Sequence, residues 1–476
     1  MRYFPALALL LCAFRSQAQD NQLSSLIPEL MARANVPSLS IALIDDGKIA
    51  WGGSFGVKNT KTGAKVDDRT VFQAASLSKV VFAYGVLKLV DRGKLDLDTP
   101  LSKYVPEYIQ NDYRVNAITA RLVLTHRTGF PNWRPDGQPL VIHFKPGDRF
   151  SYSGEGFVYL QRAVEKITGL PLDTWMRQTV FDPLGMKDSS YLWQPKYENL
   201  AASGHSPTGV PDQFFKPVAS GSPINGGGGP AAASTLLTTA RDYATFVVAV
   251  MNGTGLKKET SQAMLTPQSE VDAGCSNCIG RPITKASDSI AWGLGVGIEQ
   301  TAGGPFFWHW GDNGDFKAFM AASAGSKRGV VIFTNSSNGM LIIPDIAARA
   351  LGESQPAFNW IHYERYDSPR MQLQQAIFDK GIDEALKNYA SGPPIEEDPM
   401  NMLGYQLMAR KKFKEALRIF ELNAATYPKS SNAWDSLAEA YMTSGKELAI
   451  QYYRKSLELD PQNSNASDML KKLDTK

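Results

Sequence analysis

Apolar residues alternate with small polar ones over Ser38-Leu39-Ser40-Ile41-Ala42-Leu43-Ile44, a pattern that predicts a strand. Asp45-Asp46-Gly47-Lys48 supplies a turn, and Ile49 to Val57 returns as a second strand. The run from Val80 to Val90 is apolar on nearly every side and has the length of a buried helix. It stops at Asp91-Arg92-Gly93, where Gly93 suits a helix end. Ala120 to Gly129 reads as a short helix with a glycine stop. Gly156–Lys166, Leu172–Phe181 and Ala240–Met251 follow as further helices. Residues 291–336 read as successive strands ending in Val330-Val331-Ile332-Phe333-Thr334-Asn335. Strands therefore flank a mostly helical middle. That order predicts an α+β domain: an antiparallel sheet drawn from both ends of one domain, flanked by helices, with a helical subdomain inserted between.

Beyond about residue 355 the pattern becomes charge-rich and helical. Ala416, Phe420 and Pro428 recur as Ala449, Tyr453 and Pro461, a spacing of 33. Leu403 and Gly404 recur as Leu437 and Ala438, and Ala385 and Tyr389 echo Ala416 and Phe420. Trp434, Leu437, Ala438 and Tyr441 fit the first helix of a tetratricopeptide repeat, so this all-α region resembles a short array of that kind. The expected organisation is a leader over 1–18, a first domain over 19–355, a linker over 356–370, and helical repeats over 371–476. The repeats either stabilise the first domain or serve as a surface for a protein partner.

Composition narrows the setting. The chain has 476 residues, 43% hydrophobic and 20% charged, with a formal net charge of +3. Nothing in that balance points to nucleic acid as a partner. Residues 1–18 read as a secretory signal: Arg2, an apolar core from Ala6 to Phe14, then Ser16-Gln17-Ala18 as a cleavage site. Removing it takes Arg2 and Arg15 away and leaves a charge near +1. No later apolar run is long enough to cross a membrane, so an exported protein, periplasmic or extracellular, is expected. Cys275 and Cys278 then remain, able to close a small structural staple in an oxidising compartment. Two cysteines without a neighbouring histidine are too few for zinc, and no metal or cofactor is expected.

The candidate chemistry begins at Ser76-Leu77-Ser78-Lys79, at the start of the buried helix. A serine hydroxyl is a poor nucleophile until a base takes its proton. Lys79, three residues on, projects from the same face, and desolvation lowers an amine's pKa toward neutrality. Gly52-Gly53-Ser54-Phe55-Gly56 is rejected as a nucleophile elbow because no helix follows it. Lys61-Thr62-Gly63 is read as a loop, and the glycines at 226–229 as a place of close backbone approach.

Two further motifs stand downstream: Ser151-Tyr152-Ser153-Gly154 and His309-Trp310-Gly311-Asp312. In that order the three motifs make the chain resemble the penicillin-recognising serine hydrolases over roughly 24–350. Its nearest counterparts there are class C β-lactamases, D-alanyl-D-alanine carboxypeptidases, D-aminopeptidases and family VIII esterases. Leu122 to Phe130 and Gly228-Gly229-Pro230 running to Asp242 look similar as well.

The resemblance implies a serine β-lactamase-like fold and an acyl-enzyme on Ser76. Lys79 and Tyr152 would relay the proton, with Lys79 holding the phenol's pKa down. Backbone N–H groups of Ser76 and Asp312 would form the oxyanion hole. His309 would face the cleft as a hydrogen-bond donor, and Gly154, Trp310 and Gly311 would contact a small-molecule or short-peptide substrate. His126 would cap its helix or brace the cleft. Gly154 stands where the family often has Asn, and His309 where it often has Lys. Both changes disfavour efficient β-lactam hydrolysis and favour an esterase or D-amino-acid peptidase. The alternative is a catalytically impaired relative whose helical tail, 371–476, binds a protein.

Overall fold

Leu39 on the first strand lies opposite Thr334 on the last, so the two ends of the first domain meet within one sheet. The computed structural model describes residues 21–474, apart from 136, 213–215, 224–227, 281–283 and 443–444. The leader expected over 1–18 lies outside the described residues, as do glycines 226 and 227. The strands are β1 (Ser38–Asp45), β2 (Lys48–Gly56), β3 (Phe72–Gln73), β4 (Leu237–Thr238), β5 (Ser269–Asp272), β6 (Ala286–Trp292), β7 (Gly297–Thr301), β8 (Gly304–Asp312), β9 (Lys317–Ser323) and β10 (Arg328–Thr334). Eight of them form an antiparallel sheet in the order β2-β1-β10-β9-β8-β7-β6-β5, and β3 pairs with β4 separately. This is the antiparallel sheet with flanking helices that the strand–helix–strand order predicts.

Burial explains the pattern. The side chains of β1 are buried from Ser38 through Ile44, as are those of β9 and most of β10. A strand covered on both faces loses strict alternation and becomes rich in β-branched residues. β2, at the edge, alternates partly exposed with exposed positions. The Ser78–Asp91 helix is buried over most of its length. Gly85 lies where a Cβ would come within 2.9 Å of the Trp175 ring, so a glycine lets the two pack closely. The short helix expected through Gly129 ends at Leu124, and His126 then adopts φ +53, which turns its ring inward. Gly229 meets another backbone segment: its N–H donates to Ser222 O, and a Cβ there would lie 2.0 Å from Gly221 O.

The chain divides into two units, Met1–Glu364 and Arg365–Lys476. The linker expected over 356–370 is corrected: Ala357–Ile361 is helical, with Ala357 and Trp360 buried in the first unit. The second unit is helical throughout its described residues, from Pro369–Lys380 to Ser464–Asp474. Of the positions that repeat 33 apart, Ala416 with Ala449 and Phe420 with Tyr453 are fully buried, while Pro428 and Pro461 are exposed. No described helix is long and apolar enough to cross a membrane.

Candidate active site

Ser76 sits in a tight turn, Ala75–Leu77, immediately before the Ser78–Asp91 helix. Ala75 holds φ +48, a conformation that costs a β-carbon residue about 1–2 kcal/mol and persists only where the surroundings fix it. They do so here. Ala74 N–H donates to Leu236 O at 2.8 Å, and Leu236 N–H donates to Ser78 Oγ at 3.0 Å. The Tyr243 and Tyr191 hydroxyls donate to the Leu77 and Ser78 carbonyls at 3.0 and 2.7 Å. Ser76 alone in the turn is partly exposed.

The Lys79 amine lies 3.0 Å from Ser76 Oγ and 2.8 Å from the Ala233 carbonyl. Its side chain is buried, 4.9 Å from the Tyr152 ring centre and 5.7 Å from that of Phe157. Burial pulls its pKa down to about 7, with no carboxylate to hold it up. The expected spacing thus brings amine and hydroxyl together.

Tyr152 arrives from the opposite side. Its backbone N–H donates to Ser276 O at 2.9 Å, and its ring stacks on His126 at 4.3 Å. The hydroxyl is buried beside Ser76 without completing a hydrogen bond of regular geometry. Burial raises the phenol's pKa, and only the Ser76 contact opposes it. The expectation that Lys79 would depress this group is therefore corrected. Desolvation in the apolar surroundings dominates. Tyr152 is therefore a neutral phenol.

His126 is more than a helix cap. Its Nδ1 accepts the Ser153 N–H at 3.0 Å, which ties the ring to the Tyr152 loop. His309, on β8, is wholly buried, with its centroid 5.9 Å from Tyr152 and 5.5 Å from Trp292. Its Nδ1 lies 2.7 Å from the Trp310 carbonyl. A carbonyl only accepts, so Nδ1 carries the proton and Nε2 a free lone pair. Burial, then Lys79, push its pKa down to about 3. His309 is thus a neutral acceptor at Nε2, which corrects the expectation of a donor. His205 pins a loop through Thr60 N–H and Asn335 O, and His143 and His362 are exposed.

Gly311 explains how β8 reaches the nucleophile. A Cβ there would lie 2.5 Å from the Ala74 carbonyl, one residue before the strained Ala75. Trp310 lies 4.8 Å from the Tyr152 ring. Asp312 closes the strand, its carboxylate paired with Lys317 and accepting Gly314 N–H at 2.9 Å. Gly154 is a correction. It is buried, its N–H donates to Asn132, and a side chain would run into the Trp133 ring at 2.8 Å. The surface at that point belongs to partly exposed Trp133, which no spacing singled out.

Among the described residues one group could hold a metal ion: Asp272, Cys275 and Cys278. Its sulfurs are spent on each other in the Cys275–Cys278 disulfide, and the Asp272 carboxylate accepts the Gly274 and Thr284 amides.

A family model described as Beta-lactamase matches residues 23–352. Penicillin-binding protein 4 of Amycolatopsis lactamdurans is 27% identical over 346 residues, covering 68% of this chain and 87% of that protein. Protein flp of Staphylococcus aureus strain MRSA252 is 23% identical over 334 residues, covering 66% of this chain and 63% of its own length. Among solved structures, the octameric penicillin-binding protein homologue from Pyrococcus abyssi superposes with a TM-score of 0.58 at 24% identity, covering 75% of this chain and 81% of the other. D-alanine carboxypeptidase AmpC from Burkholderia cenocepacia does so with a TM-score of 0.57 at 19% identity, covering 71% and 99%. At those identities the structural likeness speaks for the fold alone.

Proposed function

Because the chain belongs to the Beta-lactamase family, we propose that it is an exported serine hydrolase working through an acyl-enzyme on Ser76. The observation that carries this reading is the 3.0 Å approach of Lys79 Nζ to Ser76 Oγ, with the amine's pKa lowered to about 7. A neutral amine keeps one N–H on Ala233 O and turns its lone pair to the Ser76 proton. Oγ then attacks the substrate carbonyl, and backbone N–H groups of Ser76 and Asp312 bind the oxyanion, each worth about 10²–10³ in rate. The proton passes by way of the Tyr152 hydroxyl to the leaving group, and water later releases the acyl chain.

The substrate class follows from charge. By the resemblance His309 takes the place of a lysine that would bind a substrate carboxylate, and it is neutral. This favours neutral esters and D-amino-acid amides or peptides over β-lactams. The test is a panel of p-nitrophenyl esters, D-amino-acid amides, peptidoglycan stem peptides and a chromogenic cephalosporin, run with wild type and Ser76→Ala. Ester or amide turnover that needs Ser76 and exceeds cephalosporin turnover is the expected outcome. Fastest turnover of the cephalosporin overturns the substrate preference.

The helical unit carries a second reading, in which turnover is slow and protein binding is the main role. Exposed Met402 and Phe413, 51% and 56% accessible, favour it. The tetratricopeptide-like array would then bind a peptide partner, and full hydrolase rates on the panel argue against it.

A further inference from the structure

The family match ends at residue 352, yet the first unit runs on to Glu364. The segment between is built into the site. Ala357 N–H donates to the buried Glu299 carboxylate at 2.8 Å, and the Phe358 ring lies 4.3 Å from that of Phe319. Trp360 donates its indole N–H to Asp272 O at 2.7 Å, and its ring packs 6.2 Å from Trp310 and 6.3 Å from Trp292. The chain then reverses at His362, φ +56, which places Tyr363 at the end of β8. There the Tyr363 hydroxyl donates to Asp312 Oδ2 at 2.5 Å.

We infer that Tyr363 is a positioning residue for acyl transfer, holding Asp312 so that the last peptide of β8 keeps its N–H on the reacting carbonyl. The inference rests on the acyl-enzyme reading above. Three groups grip the Asp312 carboxylate: Gly314 N–H and Lys317 on one oxygen, Tyr363 on the other. Gly314 belongs to the turn that follows Asp312, and Lys317 opens β9 directly across the ladder from it, so both belong to the same hairpin. Tyr363 alone comes from a distant part of the chain, so it fixes the strand end against the helix that follows the family domain. A charge-assisted hydrogen bond of this kind resists rotation of the carboxylate and of the backbone attached to it. Tyr363 is also partly exposed.

The test uses the full chain and p-nitrophenyl esters, with Tyr363→Phe, Tyr363→Ala, Asp312→Asn and the Tyr363→Phe/Asp312→Asn double variant. Tyr363→Phe keeps the ring and loses only the hydroxyl. It should lower kcat about tenfold, a fraction of the 10²–10³ lost with a whole oxyanion donor, and leave KM within about twofold. Tyr363→Ala should do no better. In the Asp312→Asn background the same change should cost less than about twofold, since the two act as one unit. Wild-type kcat in Tyr363→Phe, a loss confined to KM, or an undiminished loss in the double variant overturns the inference. Should Tyr363→Phe fail to fold, Asp312→Asn must show the kcat loss by itself, and wild-type kcat there is equally fatal. A wild type with no Ser76-dependent turnover overturns the acyl-enzyme reading and the inference together, and is distinguished by the Ser76→Ala control.

Discussion

Lys79 Nζ stands 3.0 Å from Ser76 Oγ with its pKa drawn down to about 7 by burial alone. Acylation needs the neutral amine, so kcat/KM should rise through a single ionisation near pH 7 and level off above it. Lys79→Met should lower kcat about 10²–10⁴-fold, the usual contribution of a general base. A flat profile between pH 5 and 9 contradicts the assignment.

The same lysine makes a stability prediction. Its folded pKa lies below the unfolded value of about 10.4, so the unfolded chain binds the extra proton between those limits and stability rises with pH across them. Below pH 7 the full cost of the buried charge is present. Lys79→Met should therefore melt above wild type at pH 6, with the gap narrowing towards pH 10. Thermal unfolding of both proteins across that range checks it, and a gap independent of pH would remove burial as the cause.

His309 is neutral with its lone pair at Nε2, set by the Trp310 carbonyl at 2.7 Å. His309→Lys puts a cation where a substrate carboxylate would lie. The rate of acylation by benzylpenicillin relative to a neutral ester should rise about 10- to 100-fold, the scale of one charge-assisted hydrogen bond of about 1.5–3 kcal/mol. Stopped acylation followed by mass measures both rates, and an unchanged ratio rejects the charge argument.

Tyr152 is held by the loop that the Cys275–Cys278 disulfide closes. Tyr152 N–H donates to Ser276 O at 2.9 Å, and Cys278 N–H to Ser151 Oγ at 3.2 Å. Reduction with dithiothreitol, or Cys275→Ser/Cys278→Ser, should lower kcat about threefold to tenfold while Tyr152→Phe lowers it by about 10² or more. Full activity after verified reduction shows that the loop keeps its place without the bond.

In the helical unit Gly404 lies under Phe420, where a Cβ would meet the ring at 2.5 Å. Gly404→Ala should destabilise that unit by about 1–3 kcal/mol through overpacking, in spite of the better helix propensity of alanine. Circular dichroism melts report it, and a stabilised variant means the ring shifts freely.

Much of this was legible in the chain. β1 and β10 show as apolar runs because both are covered, and the three-residue step from Ser76 to Lys79 puts both on one side of a helical turn. What escaped sequence reading depends on tertiary burial or on distant partners. The phenol of Tyr152 goes up because its surroundings are apolar, and the tautomer of His309 is set by one carbonyl. The role of Gly154 depends on Trp133 lying above it. Tyr363 falls in a stretch whose charged flanks read as linker, although Ala357, Phe358 and Trp360 carry the apolar spacing of a docked helical turn.

The central claim is a covalent bond to Ser76, and intact-mass spectrometry after exposure to a fluorophosphonate measures it most directly. The wild-type protein should gain one adduct, mapped to the Ser76 peptide, at a rate that climbs with pH through about 7. Ser76→Ala should gain none. An unmodified wild type, or an equal adduct on Ser76→Ala, contradicts the account.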